Sequence, residues 1–304
     1  MVLVACKRMS FKDLSKRVFR RSLTDGQFKF GPPYKVPDSI PRPHEKKPTA
    51  FAQRIRYNDL NTLRESARIA ASSLSLAKKL SVVGTTTEEI DNEVARYIVS
   101  RGAYPSGIDF MGFPKAICQS VNEIVAHGIP DERPLQNGDI VNFDVTAYMN
   151  GFYGDNSDMA LIGSVDSEGI KLVNATREAL SLAIDSCRPG EHFSVIAKAV
   201  SYVASREGFN IVDYFCGHFI GSEMHISPNI HHTTGFEMMN KLTMQPGMVF
   251  TIEPILVEGS PDADVWKDNW TYVTKDGGRT AQAEHMVLIT DTGHEVLTVP
   301  DESF

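Results

Sequence analysis

The sequence predicts a mixed α/β domain of the α+β kind, made of two similar halves, each a pair of helices followed by a strand. Three observations predict it. Two regions, about 58–102 and about 168–208, each carry two helical patterns with a break between them. Two strands, Gly138-Asp-Ile-Val-Asn-Phe-Asp144 and Gly247-Met-Val-Phe-Thr-Ile-Glu253, each set an acid six residues after a glycine, at the expected strand end. The helix–helix–strand unit therefore reads as an internal duplication. Finally, Gly138 to Ser157 has the pattern of a β-hairpin.

The chain opens with a basic stretch, Met1 to Arg21. Lys7, Arg8, Lys12, Lys16, Arg17, Arg20 and Arg21 face the single acid Asp13, and apolar residues are interleaved. Such a segment fits a mitochondrial or plastid targeting leader; a basic disordered tail, or a surface helix that stays in place, is the other reading. It lacks the long apolar core of a secretory signal. Six prolines between Pro32 and Pro48 predict an extended linker, or a strap on the domain surface. The expected division is a leader and N-terminal extension over residues 1–50 and a folded domain over 51–304.

A first helix is expected from about Asn58 to Leu80, where Leu60, Leu63, Ala67, Ala70, Leu74 and Ala77 recur at steps of three and four. Gly84 breaks it. Thr86 and Glu89 form a capping-box pattern that starts a second helix, and Gly102 ends that helix. A third helix is expected from about Glu168 to Cys187, broken by Pro189-Gly190. A fourth runs from about Ser194 to Glu207 and stops at Gly208.

Between the helix pairs lies the hairpin. Val141, Phe143 and Val145 alternate with other positions, and Asn150-Gly151 suits a type I′ turn, which needs positive φ at both residues. With those two as the loop, Met149 faces Phe152 and Asp144 faces Ser157. Asp155 then lies two places from Asp144's partner, on the same face, where diagonal neighbours are about 7–8 Å apart. Two carboxylates there repel and lose hydration unless a cation lies between them. A metal ion is one explanation; solvation on an open sheet face is the other.

The 304 residues are 42% hydrophobic and 23% charged, an ordinary globular composition. No apolar run approaches the ~20 residues of a membrane span. Four scattered cysteines, Cys6, Cys118, Cys187 and Cys216, read as reduced thiols. Residues 1–50 hold 12 Lys/Arg against 4 Asp/Glu, and the remainder holds 19 against 34. So acidic a body argues against nucleic acid as a partner.

Further candidates join the hairpin acids. Glu253 lies in Phe250-Thr-Ile-Glu-Pro254, Glu284 precedes a strand expected over His285 to Thr290, His218 follows Cys216-Gly217, and His127 lies in Ala126-His-Gly-Ile-Pro130. Four carboxylates with one or more imidazoles on apolar strands suit a pair of first-row divalent ions, such as Mn, Fe, Co or Zn. Two such ions can activate water against a carbonyl, which is hydrolytic chemistry.

These segments resemble a type I methionine aminopeptidase of the organellar form, in the creatinase-like pita-bread superfamily. The resemblance rests on Gly112-Phe-Pro-Lys-Ala-Ile-Cys118, Ser120-Val-Asn-Glu-Ile-Val-Ala-His-Gly-Ile-Pro-Asp131, Gly138-Asp-Ile-Val-Asn-Phe-Asp-Val145, Gly154-Asp155, Gly217-His218, Thr251-Ile-Glu-Pro254 and Ala281-Gln-Ala-Glu-His285. It implies two pseudo-symmetric halves around a curved antiparallel sheet. It implies that Asp144, Asp155, His218, Glu253 and Glu284 ligate two divalent ions (Co, Mn, Fe or Zn), with Asp155 and Glu284 bridging. A metal-bridging hydroxide would attack the first peptide bond and Glu253 would help move the proton. His127 would contact the scissile nitrogen and His225 the carbonyl oxygen. Phe110, Phe113, Cys118, Met224 and Trp270 would line the methionine pocket. The implied substrates are nascent peptide N-termini with small second residues, met at the organellar ribosome by a monomer in the mitochondrial matrix. A cytoplasmic location is the alternative.

Several positions depart from the family pattern: Phe219 stands for a glycine, Tyr153 for His, Asn156 for Thr, Ala126 for Cys, Ala283 for an aromatic, Met286 for Thr and Met224 for Phe. Phe219 is expected to narrow the cleft or displace His218. Two other readings remain at this point: an aminopeptidase acting before proline, and a pita-bread binding module without catalysis.

Overall fold

The structure, a computed structural model, describes residues 29–43 and 59–301. The basic leader, Met1 to Arg21, and the boundary expected near residue 50 lie outside the described residues.

Helix α1 (Leu60–Leu80) and helix α2 (Thr87–Ser100) pack on one another. The capping box is present in full: Thr86 Oγ1 accepts from Glu89 N, and the Glu89 carboxylate accepts from Thr86 N. The first half then runs through β1 (Tyr104–Pro105), β2 (Cys118–Val121), β3 (Ile124–Ala126), β4 (Ile140–Met149) and β5 (Phe152–Leu161). Helices α3 (Ser167–Asp185) and α4 (Ser194–Glu207) open the second half, and Gly208 ends α4 in the left-handed region. Strands β6 (Asn210–Ile211), β7 (Gly217–Phe219) and β8 (Ile226–Ile230) follow. After the short helix α5 (Glu237–Lys241) come β9 (Val249–Ile252), β10 (Ile255–Val257), β11 (Ala263–Val265), β12 (Tyr272–Thr274), β13 (Thr280–Gln282), β14 (His285–Ile289) and β15 (His294–Val296).

The strand pairs are antiparallel. The β4–β5 hairpin has the expected register, with Met149 opposite Phe152 and Asp144 opposite Ser157. Strand β4 also carries β1 and β2 along its other edge. The second half holds a five-stranded sheet in the order β15-β14-β9-β7-β8. One expectation needs correction: Glu253 stands just past the end of β9, but Asp144 lies in the middle of β4. Proline at 254 stops the one strand, whereas Val145 to Met149 continue the other through β-branched and aromatic residues.

Each half has its own apolar core. Val141, Phe143 and Val145 pack with α1 and α2, and Phe193, Phe219 and Phe250 pack with α3 and α4. Helix α1 lies across β5 so closely that a Cβ at Gly154 would meet the Ser66 backbone at 2.3 Å. The halves join where Glu284 N donates to Ser157 O at 2.8 Å, bridging β5 to the segment before β14.

Residues 29–43 run as a strap over the first half. Glu132 N donates to Lys29 O, Gly31 N donates to the Glu88 carboxylate, and Val36 is buried in the core. Lys115, fully buried, pairs with Glu88 and donates to Pro32 O.

Candidate metal centre

Five of the sequence-predicted residues converge at the junction of the halves. One donor atom each from Asp155, His218 and Glu284 lies within 4.8 Å of the others, and all three side chains are buried. His218 Nε2 is 3.8 Å from Asp155 Oδ2 and 3.6 Å from Glu253 Oε1. Asp144 lies on the same hairpin face, two places from Asp155 across the register.

Local structure explains how each is held. Asp155 sits opposite Thr146, whose hydroxyl donates to Asp155 Oδ1 at 2.8 Å. His218 is the middle residue of β7, and the preceding Gly217 leaves no room for a side chain, since a Cβ would meet Thr251 O at 2.2 Å. Thr251 serves two of the group: its hydroxyl accepts from His218 N and donates to Glu253 Oε1 at 2.8 Å. Gln282 donates to Glu253 Oε2 at 3.3 Å.

The electrostatics test whether a cation fits. Burial, reinforced by neighbouring acids, pushes the Asp144 carboxyl up to about 8 and holds Glu253 and Glu284 well above the usual carboxylate range. Burial raises Asp155 as well, against the Thr146 hydrogen bond. Among the described residues no lysine or arginine pairs with any of the four. Burial pushes His218 down to about 3, so the ring is neutral. Its Nδ1 hydrogen bonds the Phe219 carbonyl at 3.2 Å, which turns the Nε2 lone pair toward the acids. A lone pair facing carboxylates at 3.6–3.8 Å is too far for a hydrogen bond. It suits donors about 2.0–2.2 Å from a shared ion. The donor set, one imidazole among oxygen ligands, fits a first-row divalent cation.

The remaining predicted residues lie around this cluster. His225 has its ring 4.3 Å from that of His218 and 5.7 Å from that of Phe110. His127 is buried with φ +58°, stacks edge-on to Phe215 at 5.2 Å, and leaves Nδ1 without a partner. Phe113 and Cys118 form an apolar cluster with Phe110 and Trp270, the Phe113 and Trp270 rings 5.2 Å apart. Burial keeps the Cys118 thiol protonated, so it acts as a small apolar filler. Met224 lies apart, in a cluster with Leu63, Tyr153 and Met286 that touches Phe110.

Phe219 does neither of the things expected of it. Its ring packs on Phe193 and Phe250 at 5.5 and 5.8 Å, away from the acids, and its φ is not positive. The Tyr153 ring lies tilted against that of Tyr148, and Met286 Sδ accepts from Asp155 N at 3.1 Å. Sequence reasoning missed Thr146, Thr251 and Gln282. The last two were detectable, each being two residues before an acid and hence on its face of an extended chain. His232, whose Nε2 accepts from Glu253 N at 3.1 Å, gave no such signal.

Residues 61–291 match the model of metallopeptidase family M24. The chain belongs to that family. It is 47% identical over 248 residues to methionine aminopeptidase 1D, mitochondrial, of Homo sapiens, covering 81% of this chain and 73% of that protein. With the Danio rerio protein of the same name it shares 43% over 279 residues, covering 89% and 81%. Within the family the chain thus falls among the methionine aminopeptidases. The crystal structure of a methionine aminopeptidase from Rickettsia prowazekii superposes with a TM-score of 0.78 at 34% identity, covering 82% of this chain and all of that one. The prolidase from Pyrococcus furiosus, at 19% identity and a TM-score of 0.63, shares the fold. The family fold is the pita-bread arrangement of two related halves described above.

Proposed function

We propose that this chain removes the N-terminal methionine from newly made polypeptides, with a preference for a small second residue. The observation that carries the reading is the buried set Asp155, His218 and Glu284, with Glu253 beside it and, among the described residues, no lysine or arginine paired with it. Asp144, Asp155, His218, Glu253 and Glu284 would hold two divalent ions (Co, Mn, Fe or Zn). Such ions supply an activated water and a polarised scissile carbonyl.

The chain's own residues do the rest. Glu253, its carboxylate aimed by Thr251 and Gln282, takes and returns the proton. His127 offers its unpartnered Nδ1 to the scissile nitrogen. His225 donates to the carbonyl oxygen as charge develops there. Phe110, Phe113, Cys118 and Trp270 receive the thioether, with Met224 behind Phe110. The basic leader and the mitochondrial relatives support a place in the mitochondrial matrix, where the chain would act as a monomer on N-termini at the organellar ribosome. A Phe219 ring that closed the cleft would favour a binding module, and this ring lies in the core.

The test is methionine release from Met-Ala-Ser and Met-Leu-Ser with Fe(II), Mn(II) or Co(II) supplied anaerobically. Release from the first and little from the second is expected. No release with any of the three ions, with metal bound, overturns the activity. Asp155→Asn should lose bound metal; an unchanged metal stoichiometry would sink the site assignment. The location is read from the N-terminus of the protein recovered from mitochondria, expected before Lys29. A full-length chain confined to the cytosol contradicts it.

A further inference from the structure

We infer that His232 is a positioning residue for Glu253, its imidazole fixing the backbone of this acid while Thr251 and Gln282 fix the carboxylate. The inference rests on the functional reading above and goes beyond it in assigning a role outside the ligand set.

Glu253 stands where the chain leaves one sheet for another. Ile252, the last residue of β9, pairs with His285 of β14, and Ile255 begins β10, which pairs with β13 and β6. Pro254 between them has no N–H. The Glu253 N–H is therefore a donor at a junction, beyond the ladder that would hold it in a strand. A donor left unpaired in such a place forfeits its hydration with nothing in return. His232, 2% exposed, supplies the acceptor: its Nε2 lies 3.1 Å from Glu253 N.

An imidazole nitrogen accepts only when it carries no proton, so the other nitrogen must hold the hydrogen. That hydrogen has its own acceptor, the carbonyl of Phe215. The two bonds select the same neutral tautomer and lock the ring in place. They also tie three parts of the site together. His232 follows β8, the arm that starts just after His225. Phe215 carries the ring that lies edge-on to His127. Glu253 touches His218 and shares Thr251 with it. A shift of the His232 ring thus moves the proton-handling acid relative to both substrate-facing histidines.

A plain core histidine would pack equally well, and two substitutions separate the cases. His232→Gln keeps an acceptor close to the Nε2 position, and His232→Leu keeps comparable bulk with none. Mn(II) binding to the metal-free proteins is read by calorimetry, and kcat and KM are read with Met-Ala-Ser. Groups that orient metal ligands typically change affinity or activity by about 10–100-fold. His232→Leu is expected to weaken Mn(II) binding and lower kcat by about that factor, with KM nearly unchanged. His232→Gln should restore most of both. Equal impairment in Gln and Leu, or a Leu variant that behaves as the parent, overturns the inference. If the parent releases no methionine, the functional reading fails, and the calorimetric comparison still decides the role of His232.

Discussion

Phe219 and His218 are chain neighbours whose side chains serve opposite sides of one strand: the imidazole faces the acids and the phenyl ring enters the helix-backed core. Bulk at position 219 therefore acts on stability. Phe219→Ala should destabilise by about 3–5 kcal/mol in urea unfolding, with little change in turnover per folded molecule. A gain in turnover at full stability would show that the ring does obstruct the cleft. Asp91 acts at the same scale behind the pocket. It is fully buried, one oxygen accepts from Ala116 N and Ile117 N, and the other has no partner. Burial pushes its carboxyl up to about 7. Between about pH 4 and about pH 7 the folded protein holds a proton that the unfolded chain, with an ordinary carboxyl near 3.9, has released. Stability due to Asp91 thus falls as pH rises through that window and levels off above it. Asp91→Asn, uncharged at every pH, should flatten the change in melting temperature between pH 5 and pH 8. Parallel slopes for parent and variant would contradict this.

At the scale of the element, the strap 29–43 does more than connect. Val36 completes the first-half core, and Pro32 and Gly31 close over the Lys115–Glu88 pair. Lys115 lies between Phe113 and Cys118, so the strap backs the loop that carries the apolar pocket. Val36 alone is worth about 1.5–3 kcal/mol of burial. Truncation through Pro43 should therefore lower the denaturant midpoint and raise KM for Met-Ala-Ser. An unaltered midpoint would mean that the strap only rests on the surface. The elements legible in the sequence were those specified locally. The capping box at Thr86, the left-handed stop at Gly208 and the two-residue loop at Asn150-Gly151 each follow from residues a few positions apart. Asp144 was placed at a strand end by its match to Glu253, six residues after a glycine, but pairing with β1 and β5 carries β4 on to Met149.

At the scale of the whole molecule, the candidate metal centre would also be a stability device. Buried acids drawn from both halves repel one another until a cation is shared. A ligand bound only by the folded state stabilises it by about 2.7 kcal/mol at a hundred times its Kd. Removing metal with a chelator should lower the melting temperature, re-addition should restore it, and Asp155→Asn should be insensitive to both. No shift on chelation would mean that the halves are held without the ion.

The chain's local code settled the helices, their caps, the hairpin and its register, because each depends on neighbours within a few residues. It also marked the acids and histidines worth watching, since carboxylates on apolar strands stand out against their surroundings. Tertiary structure decided what depends on distant pairs. The bridge from Ser157 to Glu284 brings a hairpin acid against one 129 positions later. The facing of Phe219 depended on which core lay beneath β7, and the bond from Glu253 N to His232 on a loop returning to a sheet junction. The first of these contacts follows from the packing of one half on the other and the rest from long-range packing within the second half, and no local periodicity contains them.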